Sequence, residues 1–258
     1  MGSRVNAVNT ALSLSSIVIF LLAWQAASTW LIDPFFLPAP TTVAHGAWQL
    51  VTTHVIFTAA GVSLARILGG WLLGCLVAIP IGLIVGSSRA ARSLIDPFIH
   101  FFRFVPAIAL VTLFIVWFGV GEVSKILLIA YATAFIVVVN TASGVATIPQ
   151  EKIDAARCLG ANGRQVFLHV VVPASIPSIY VGMRLALASS FLVIVAAEML
   201  AAESGLGFLI WTSRLYFRID WMFAAIVTLG ALGYLADWVW KTIGRTTLKR
   251  YLRDTLKY

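Results

Sequence analysis

The chain has few charged residues. Asp, Glu, Lys and Arg make up 11% of its 258 residues, whereas 60% is hydrophobic and the mean hydropathy is +0.97. Soluble domains carry roughly 25% charged residues, so this composition indicates a polytopic membrane protein. Charge is absent from 67–88, 104–121 and 126–150, and each run is about the ~20 residues that a helix needs to cross hydrocarbon. These runs are apolar on every face, which favours helices over barrel strands.

Several chemistry-bearing motifs are also missing. No Gly-Lys dipeptide occurs, which excludes a phosphate-binding P-loop, and neither His-Glu-x-x-His nor Gly-x-Ser-x-Gly is present. The two cysteines, Cys75 and Cys158, lie in different environments and predict neither a disulfide framework nor a metal site. The net charge of +8 is not arranged as the basic stripe of a nucleic-acid site. We therefore expect a protein that is neither an enzyme nor a nucleic-acid binder.

The sequence predicts an all-α membrane protein with about six spans. They lie near residues 12–32, 58–86, 98–118, 125–146, 178–201 and 221–240. A seventh crossing is conceivable, because residues 165–183 are also uncharged, but Pro173 and Pro177 are expected to interrupt it. The first run is longer than the core of a signal peptide, so we expect an uncleaved span.

The positions of Lys and Arg predict the orientation. With the N-terminus inside, most of them fall on the cytoplasmic side, including the six from Lys241 to Lys257, and only Lys125, Arg214 and Arg218 fall outside. This asymmetry follows the positive-inside rule, which a seventh span would violate by expelling the basic tail. We expect six spans with both termini in the cytoplasm.

A polar insert at about 147–177 interrupts the apolar runs. Pro149 suits the first turn of a helix, Gly160 supplies its end, and Asn162 with Gln165 resembles a capping box for a second helix that runs until Pro173.

On the first of these helices, Ile153, Ala156 and Leu159 are expected to form a shallow apolar surface flanked by Lys152 and Arg157. This surface suits docking into a groove of a partner. The composition is equally compatible with a solvated loop that only connects two spans.

The insert resembles the EAA motif of permease subunits of bacterial ATP-binding-cassette (ABC) importers. That motif reads Glu-Ala-Ala, three residues, Gly, nine residues, then Ile-x-Leu-Pro. Asp154 stands in the Glu position, Val170 and Val172 replace the aliphatic pair, and the spacing fits throughout. The coupling residues that the resemblance implies are the motif positions Asp154, Ala155, Ala156, Gly160 and Pro173, together with Arg157 and Leu159, which lie between them.

The resemblance covers nearly the whole chain. The segments 103–106 (Arg-Phe-Val-Pro), 117–121 (Trp-Phe-Gly-Val-Gly), 196–198 (Ala-Ala-Glu) and 205–207 (Gly-Leu-Gly) are similar to the nitrate, sulfonate, taurine and bicarbonate branch of these permeases. It implies a type I ABC importer transmembrane domain, with residues 1–258 as a single permease domain in the bacterial inner membrane.

The resemblance also implies partners and a mechanism. Two permease copies, here expected as a homodimer in lipid, form the pathway; cytoplasmic ATPase subunits bind ATP and Mg²⁺; and an extracytoplasmic solute-binding protein delivers the ligand. The EAA segment would act as a coupling helix in a groove of the ATPase. This chain is then a transporter subunit that binds no cofactor of its own.

Two residues are candidates for the pathway or gate. Arg103 at the start of the third span is suited to attract an oxyanion, or alternatively snorkels to the cytoplasmic headgroups. Glu198 near the outer end of the fifth span lines the cavity or, on the alternative interpretation, is a hydrogen-bonded brace between spans. Arg66 and Arg184 leave similar alternatives open.

The substrate expected from the branch is a small anion such as a sulfonate, taurine or nitrate. Bicarbonate or a heterocyclic vitamin precursor is the alternative. A channel or secondary transporter that works without ATP is the competing class, although the sequence shows neither a selectivity-filter loop nor internal repeats.

Overall fold

The computed structural model describes residues 2–248, with side chains at Leu12 and from Leu14 onward, and this part of the chain is helical without strands. The helices are α1 (Gly2–Trp30), α2 (Pro40–Thr52), α3 (Val55–Ser87), α4 (Arg89–Phe102), α5 (Val111–Phe118), α6 (Glu122–Ala146), α7 (Gln150–Cys158), α8 (Gly163–Val166), α9 (Val172–Ala201), α10 (Leu206–Leu215) and α11 (Ile219–Thr247). A 3₁₀ turn, Ala107–Leu110, precedes α5, and a π-helical segment, Phe167–Val171, joins α8 to α9.

Four of these helical runs are long and apolar enough to cross a membrane. They are α3, α6, the continuous run Gly163–Ala201, and α11. The bent pair formed by α4 and 107–118 would make a fifth span, and α1 contributes a shorter apolar stretch, Leu14–Trp30. The predicted all-helical membrane fold is confirmed. The basic tail beyond residue 248 and the side chain of Arg4, which entered the orientation argument, lie outside the described residues.

The third predicted span, 98–118, is not one helix. Its two halves meet at an angle of 84°, with residues 103–106 at the vertex, and the first half begins at Arg89. Pro106 explains the break, because proline has no N–H to donate and disfavours helical backbone at the residue before it.

The fifth predicted span is longer than expected. We predicted a helix that ended at Pro173 and a new one from 178, but the run continues from Gly163 to Ala201. The π-helical segment ends at Val171, two residues before Pro173. Its hydrogen bonds depart from the i→i−4 pattern, in which proline cannot act as a donor. Pro177 lies inside α9 without ending it.

The centre of the bundle is the contact between α3 and α6. Small residues recur at every fourth position of α3, at Gly70, Gly74, Ala78, Gly82 and Gly86. A Cβ atom added to any of the four glycines would lie 3.0 Å or less from atoms of α6. Their absent side chains therefore set how closely the two backbones approach, as small residues do in membrane helix pairs. The neighbouring Gly69, by contrast, meets only one atom within 4 Å.

Two large apolar clusters form most of the core, and a smaller third one lies beside α7 and α8. The larger combines α3, α5, α6 and α9, and we call α3, α6 and α9 the spanning core. The second combines α2, α10 and the beginning of α11, which we call the α10 cap, with the beginning of α3. Within the cap, Arg218 donates to Gln49 (2.7 Å) and to both oxygens of Asp220. The bonds to the Asp220 carboxylate raise the pKa of the guanidinium above its usual range. The cap lies at the end of the bundle opposite α7.

We expect Gly82→Ala to destabilise the protein. The new Cβ would lie 2.6 Å from the Cβ of Thr141 and 2.9 Å from the backbone oxygen of Val138, and such overpacking costs typically ~1–3 kcal/mol. The matched control is Gly230→Ala in α11, where nothing lies within 4 Å and the helix gains about 0.5–1 kcal/mol. Thermal unfolding in detergent should show a lower Tm for the first variant only. Equal Tm values would contradict the close α3–α6 contact.

Candidate functional site

The turn between α7 and α8 has the local structure that the sequence predicted. α7 ends in a Schellman motif: Gly160 N–H donates to Arg157 O (2.9 Å) and Ala161 N–H donates to Ala156 O (3.0 Å). Gly160 has φ +86°, the left-handed conformation that this ending requires. The predicted capping box is confirmed, because Asn162 and Gln165 each accept from the backbone N–H of the other.

The exposed surface of α7 differs from the predicted one. Ile153 and Ala156 pack against their own chain, in a cluster with Val145, Val166 and Val171. Only Leu159, at 90% exposure, presents the expected apolar group to solvent. The three residues therefore present a smaller apolar surface than we predicted, because Ile153 and Ala156 are half-buried and also hold α7 against the bundle.

The free face of α7 is mostly polar. Asp154, Ala155, Arg157 and Cys158 are exposed there, next to Leu159. Asp154 accepts from Gln150 (3.0 Å) and lies 3.7 Å from Arg157, an exposed pair of the kind that contributes under about 1 kcal/mol. These side chains are thus available to a partner, while Pro173 lies behind them at the beginning of α9.

A cavity of about 530 Å³ opens where the bent span meets α6 and α9. Its wall is mainly apolar, and its polar side chains are Arg103, Tyr131, Asn140 and Ser189. A second groove of about 270 Å³ shares Asn140 and runs on between α6 and α9 past Ser143, Thr147 and Ser178. Together they form a path along one side of the bundle.

Arg103 stands inside the membrane-spanning region. The Tyr131 hydroxyl donates to the carbonyl of Phe102 (2.9 Å), which places the adjacent Arg103 beside α6 about 22 Å along the helix from Ala146. Its guanidinium lies 4.7 Å from the ring of Phe104, and within residues 2–248 it has no carboxylate partner. Arg103 is exposed and is one of the residues that line the cavity.

Glu198 is fully buried and does not line the cavity in this structure. Its carboxylate accepts from the Ser63 hydroxyl (2.9 Å), from the Gly207 N–H (2.8 Å) and from Arg66 Nη1 (2.8 Å). Gly205, with φ +115°, makes the turn into α10, where a side chain would collide with this carboxylate at 2.3 Å. The 196–198 and 205–207 segments thus form one structural unit.

Arg66 is the centre of this unit. The guanidinium is 4% exposed and uses all its donor groups: Nε and Nη2 bind the two oxygens of Glu122 (2.5 and 2.6 Å), Nη1 binds Glu198, and the Ser204 carbonyl and hydroxyl complete the set at 2.6 and 3.3 Å. Lys125, also buried, lies 3.4 Å from Glu122. The two cations and two carboxylates balance each other.

The sequence reasoning missed this cluster. We had considered Arg66 and Glu198 separately and had given Ser63, Glu122 and Ser204 no role. A usable signal was present, because opposite charges at the ends of uncharged runs on neighbouring spans are expected to pair at membrane depth. Arg184, also left open, binds Asp237 of α11 through two hydrogen bonds of 2.5 and 3.0 Å.

Comparison with known proteins agrees with this architecture. Residues 78–249 match the family of the binding-protein-dependent transport system inner membrane component. The taurine transport system permease protein of Escherichia coli is 33% identical over 247 residues, covering 93% of this chain and 88% of that protein. A permease of Escherichia coli named for aliphatic sulfonates transport is 37% identical over 216 residues (83% and 82%). The bicarbonate transport system permease protein of Synechococcus elongatus is 32% identical over 176 residues (68% and 63%).

Solved structures show the same fold. A chain of the MetNI methionine ABC transporter superimposes with a TM-score of 0.64 at 19% identity, covering 83% of this chain and 98% of that one. At this low identity the likeness shows a shared overall fold. The chain belongs to the family of binding-protein-dependent inner membrane components, the permease subunits of ABC importers.

Proposed function

We propose that this permease imports a small organic anion of the sulfonate class, with taurine as the first candidate. The observation that carries this proposal is Arg103, an unpaired cation in a mainly apolar cavity between the spans. A guanidinium binds planar or tetrahedral oxyanions through several charge-assisted hydrogen bonds. The relatives named for taurine and aliphatic sulfonates support the same class.

The α7 end of the bundle is the cytoplasmic end in this proposal. The insert carries Lys152, Arg157 and Arg164, and α11 brings Lys241 and Arg245 towards the same end, as the positive-inside rule requires. The α10 cap then faces the outside, where a solute-binding protein delivers the ligand.

Coupling to ATP is assigned to the free face of α7. Asp154, Ala155, Arg157, Leu159 and Gly160 would seat in a groove of an ATPase subunit that holds ATP and Mg²⁺. Because α6 leads into α7 and the Gly163–Ala201 helix leads out of it, a displacement of α7 acts on two spans at once. Pro173 and the π-helical segment before it lie where this displacement enters α9.

A second copy of the chain completes the pathway. Asn140, Ser143 and Thr147 form a polar stripe on α6 beside the groove, and their partly exposed side chains would be poorly placed against lipid. A homodimer would turn this stripe and the cavity of each copy towards a shared, water-filled path. Lipid then surrounds the remaining apolar faces, such as α11.

Glu198 is assigned the role of a brace, the second of the two interpretations left open by the sequence. Its burial and its bonds to Ser63, Arg66 and Gly207 keep it from the cavity, and a carboxylate there would repel an anion.

We predict that Gly160→Val uncouples ATP hydrolysis from transport. A β-branched residue at φ +86° is strained by about 1–2 kcal/mol, so α7 would end differently and shift its exposed face. Gly163→Val is the matched control, since Gly163 has open space and no positive φ. The measurement is stimulation of ATPase activity by loaded binding protein in proteoliposomes. Normal stimulation in Gly160→Val would contradict the coupling role.

The substrate class can be tested on the partner binding protein. We expect taurine or an alkanesulfonate to raise its Tm by several degrees at millimolar concentration, because a ligand that binds only the folded state stabilises it. The panel should include nitrate, bicarbonate and heterocyclic vitamin precursors. Stabilisation by bicarbonate or a heterocycle alone would replace the sulfonate by one of those alternatives. Retained uptake without any co-purifying ATPase would instead favour a channel or secondary transporter.

We expect Arg103→Gln to reduce ATP-driven uptake of that ligand by roughly tenfold or more, since hydrogen bonds to charged groups contribute about 1.5–3 kcal/mol. Arg103→Lys should retain part of the activity. Arg92→Gln is the control, because Arg92 lies on the same bent span but outside the cavity lining. Uptake by Arg103→Gln within twofold of the wild-type rate would show that Arg103 does not serve the anion.

A further inference from the structure

The Arg66 cluster lies where the spanning core meets the α10 cap. Ser63 and Arg66 belong to α3, Glu122 begins α6, and Glu198 is near the end of α9, whereas Leu206 and Gly207 begin α10. The cluster is therefore the polar contact that joins all three core helices to the cap at a single point.

The bonds to the cap are made by the backbone of α10. Leu206 N–H donates to the Ser63 hydroxyl (2.8 Å) and Gly207 N–H donates to Glu198 (2.8 Å), so two of the free N–H groups at the beginning of this helix are satisfied by the core. The negative carboxylate also faces the positive end of the α10 dipole. The cap is thus held in position as well as in orientation.

Two short covalent links join core and cap: residues 53–54 between α2 and α3, and the turn between α9 and α10, which contains a glycine with a positive φ. Only residues 202–205 connect α9 to α10, and Gly205 there has φ +115°. Arg66 binds both the carbonyl and the hydroxyl of Ser204 in this turn. Without those bonds Ser204 would lose its attachment to α3, and the cap would depend at this point on the bonds of Leu206 and Gly207.

Buried ion pairs add little net stability compared with apolar side chains of the same size, so a fully paired guanidinium is better explained by the geometry that it imposes. Here one planar group fixes α3, α6, α9 and the turn in a single arrangement. The same core is continuous with α7 at its other end, through the close α3–α6 contact and the long Gly163–Ala201 helix.

We propose that Arg66 is a positioning residue that makes the α10 cap move with the spanning core, so that displacement of α7 reaches the face where ligand enters. The inference rests on the proposed coupling role of α7 and on the proposed homodimer. It assigns Arg66 no contact with the ligand.

The test uses the assembled complex with its ATPase and measures distances between the two permease copies by spin-label resonance. Cys158 is exposed on α7 and reports the coupling end directly, whereas Cys75 is buried. Tyr216→Cys in a Cys158→Ser background reports the cap, because Tyr216 is 78% exposed at the far end of α10. Each distance is recorded without nucleotide and after trapping with ATP and vanadate.

The decisive variant is Arg66→Met/Glu198→Gln, which removes one cation and one carboxylate together and leaves no uncompensated buried charge. We expect the Cys158 distance to shift as in the wild-type protein, while the shift at Tyr216→Cys falls to less than half. Arg66→Lys is the second variant: it keeps the charge, but its single ammonium cannot bind two carboxylates and the turn in this planar arrangement, so the same loss is expected.

The matched control is Arg218→Met/Asp220→Asn, which removes an ion pair inside the cap and should leave both shifts unchanged. Three results would overturn the inference: an undiminished Tyr216→Cys shift in the Arg66 variants, no such shift in the wild-type background, or equal loss at both positions. Absence of a Cys158 shift in the wild-type complex would reject the proposed coupling role itself, and the present inference with it.

Discussion

The burial of the Arg66 guanidinium is the interaction on which the rest of this permease depends. A charge that leaves water inside a membrane protein must be fully hydrogen-bonded and neutralised, and Arg66 meets this requirement with Glu122, Glu198 and Ser204. These groups come from α6, α9 and the turn before α10. This electrostatic requirement therefore fixes the relative positions of α3, α6, α9 and the turn before α10. Together these elements extend to both ends of the bundle.

Two other cations of the bundle are also paired with carboxylates. Arg184 is neutralised by Asp237, and Lys125 by Glu122, each across or beside a helix contact. Arg103 alone, among the arginines that the structure places between the spans, faces a cavity and lacks a carboxylate. A paired arginine holds the fold together, whereas an unpaired one in a cavity is free to bind an anion. Pairing with a carboxylate thus distinguishes the arginine of the structural cluster from the arginine of the candidate substrate path.

The sequence predicted local structure where one or two residues decide it. The end of α7 at Gly160 and the capping box of Asn162 and Gln165 were correct, because each depends on hydrogen bonds within a few residues. The break at Pro106 and the continuation through Pro173 were not anticipated. The helix continues through Pro173, where a π-helical segment precedes the proline, whereas the chain changes direction at Pro106. Residue type alone does not distinguish these surroundings.

By itself, the sequence determined that the chain spans a membrane as helices and belongs with ABC importer permeases, because hydropathy and motif spacing are properties of the linear chain. Only the tertiary structure decided that Ile153 and Ala156 are half-buried against the bundle, that Arg103 lines a cavity, and that Glu198 is buried in a hydrogen-bonded cluster. Arg66 lies 132 residues from Glu198 and 138 from Ser204, so their contact exists only once the helices pack. The side chain that each charge meets is set by helix packing, which composition and spacing do not encode.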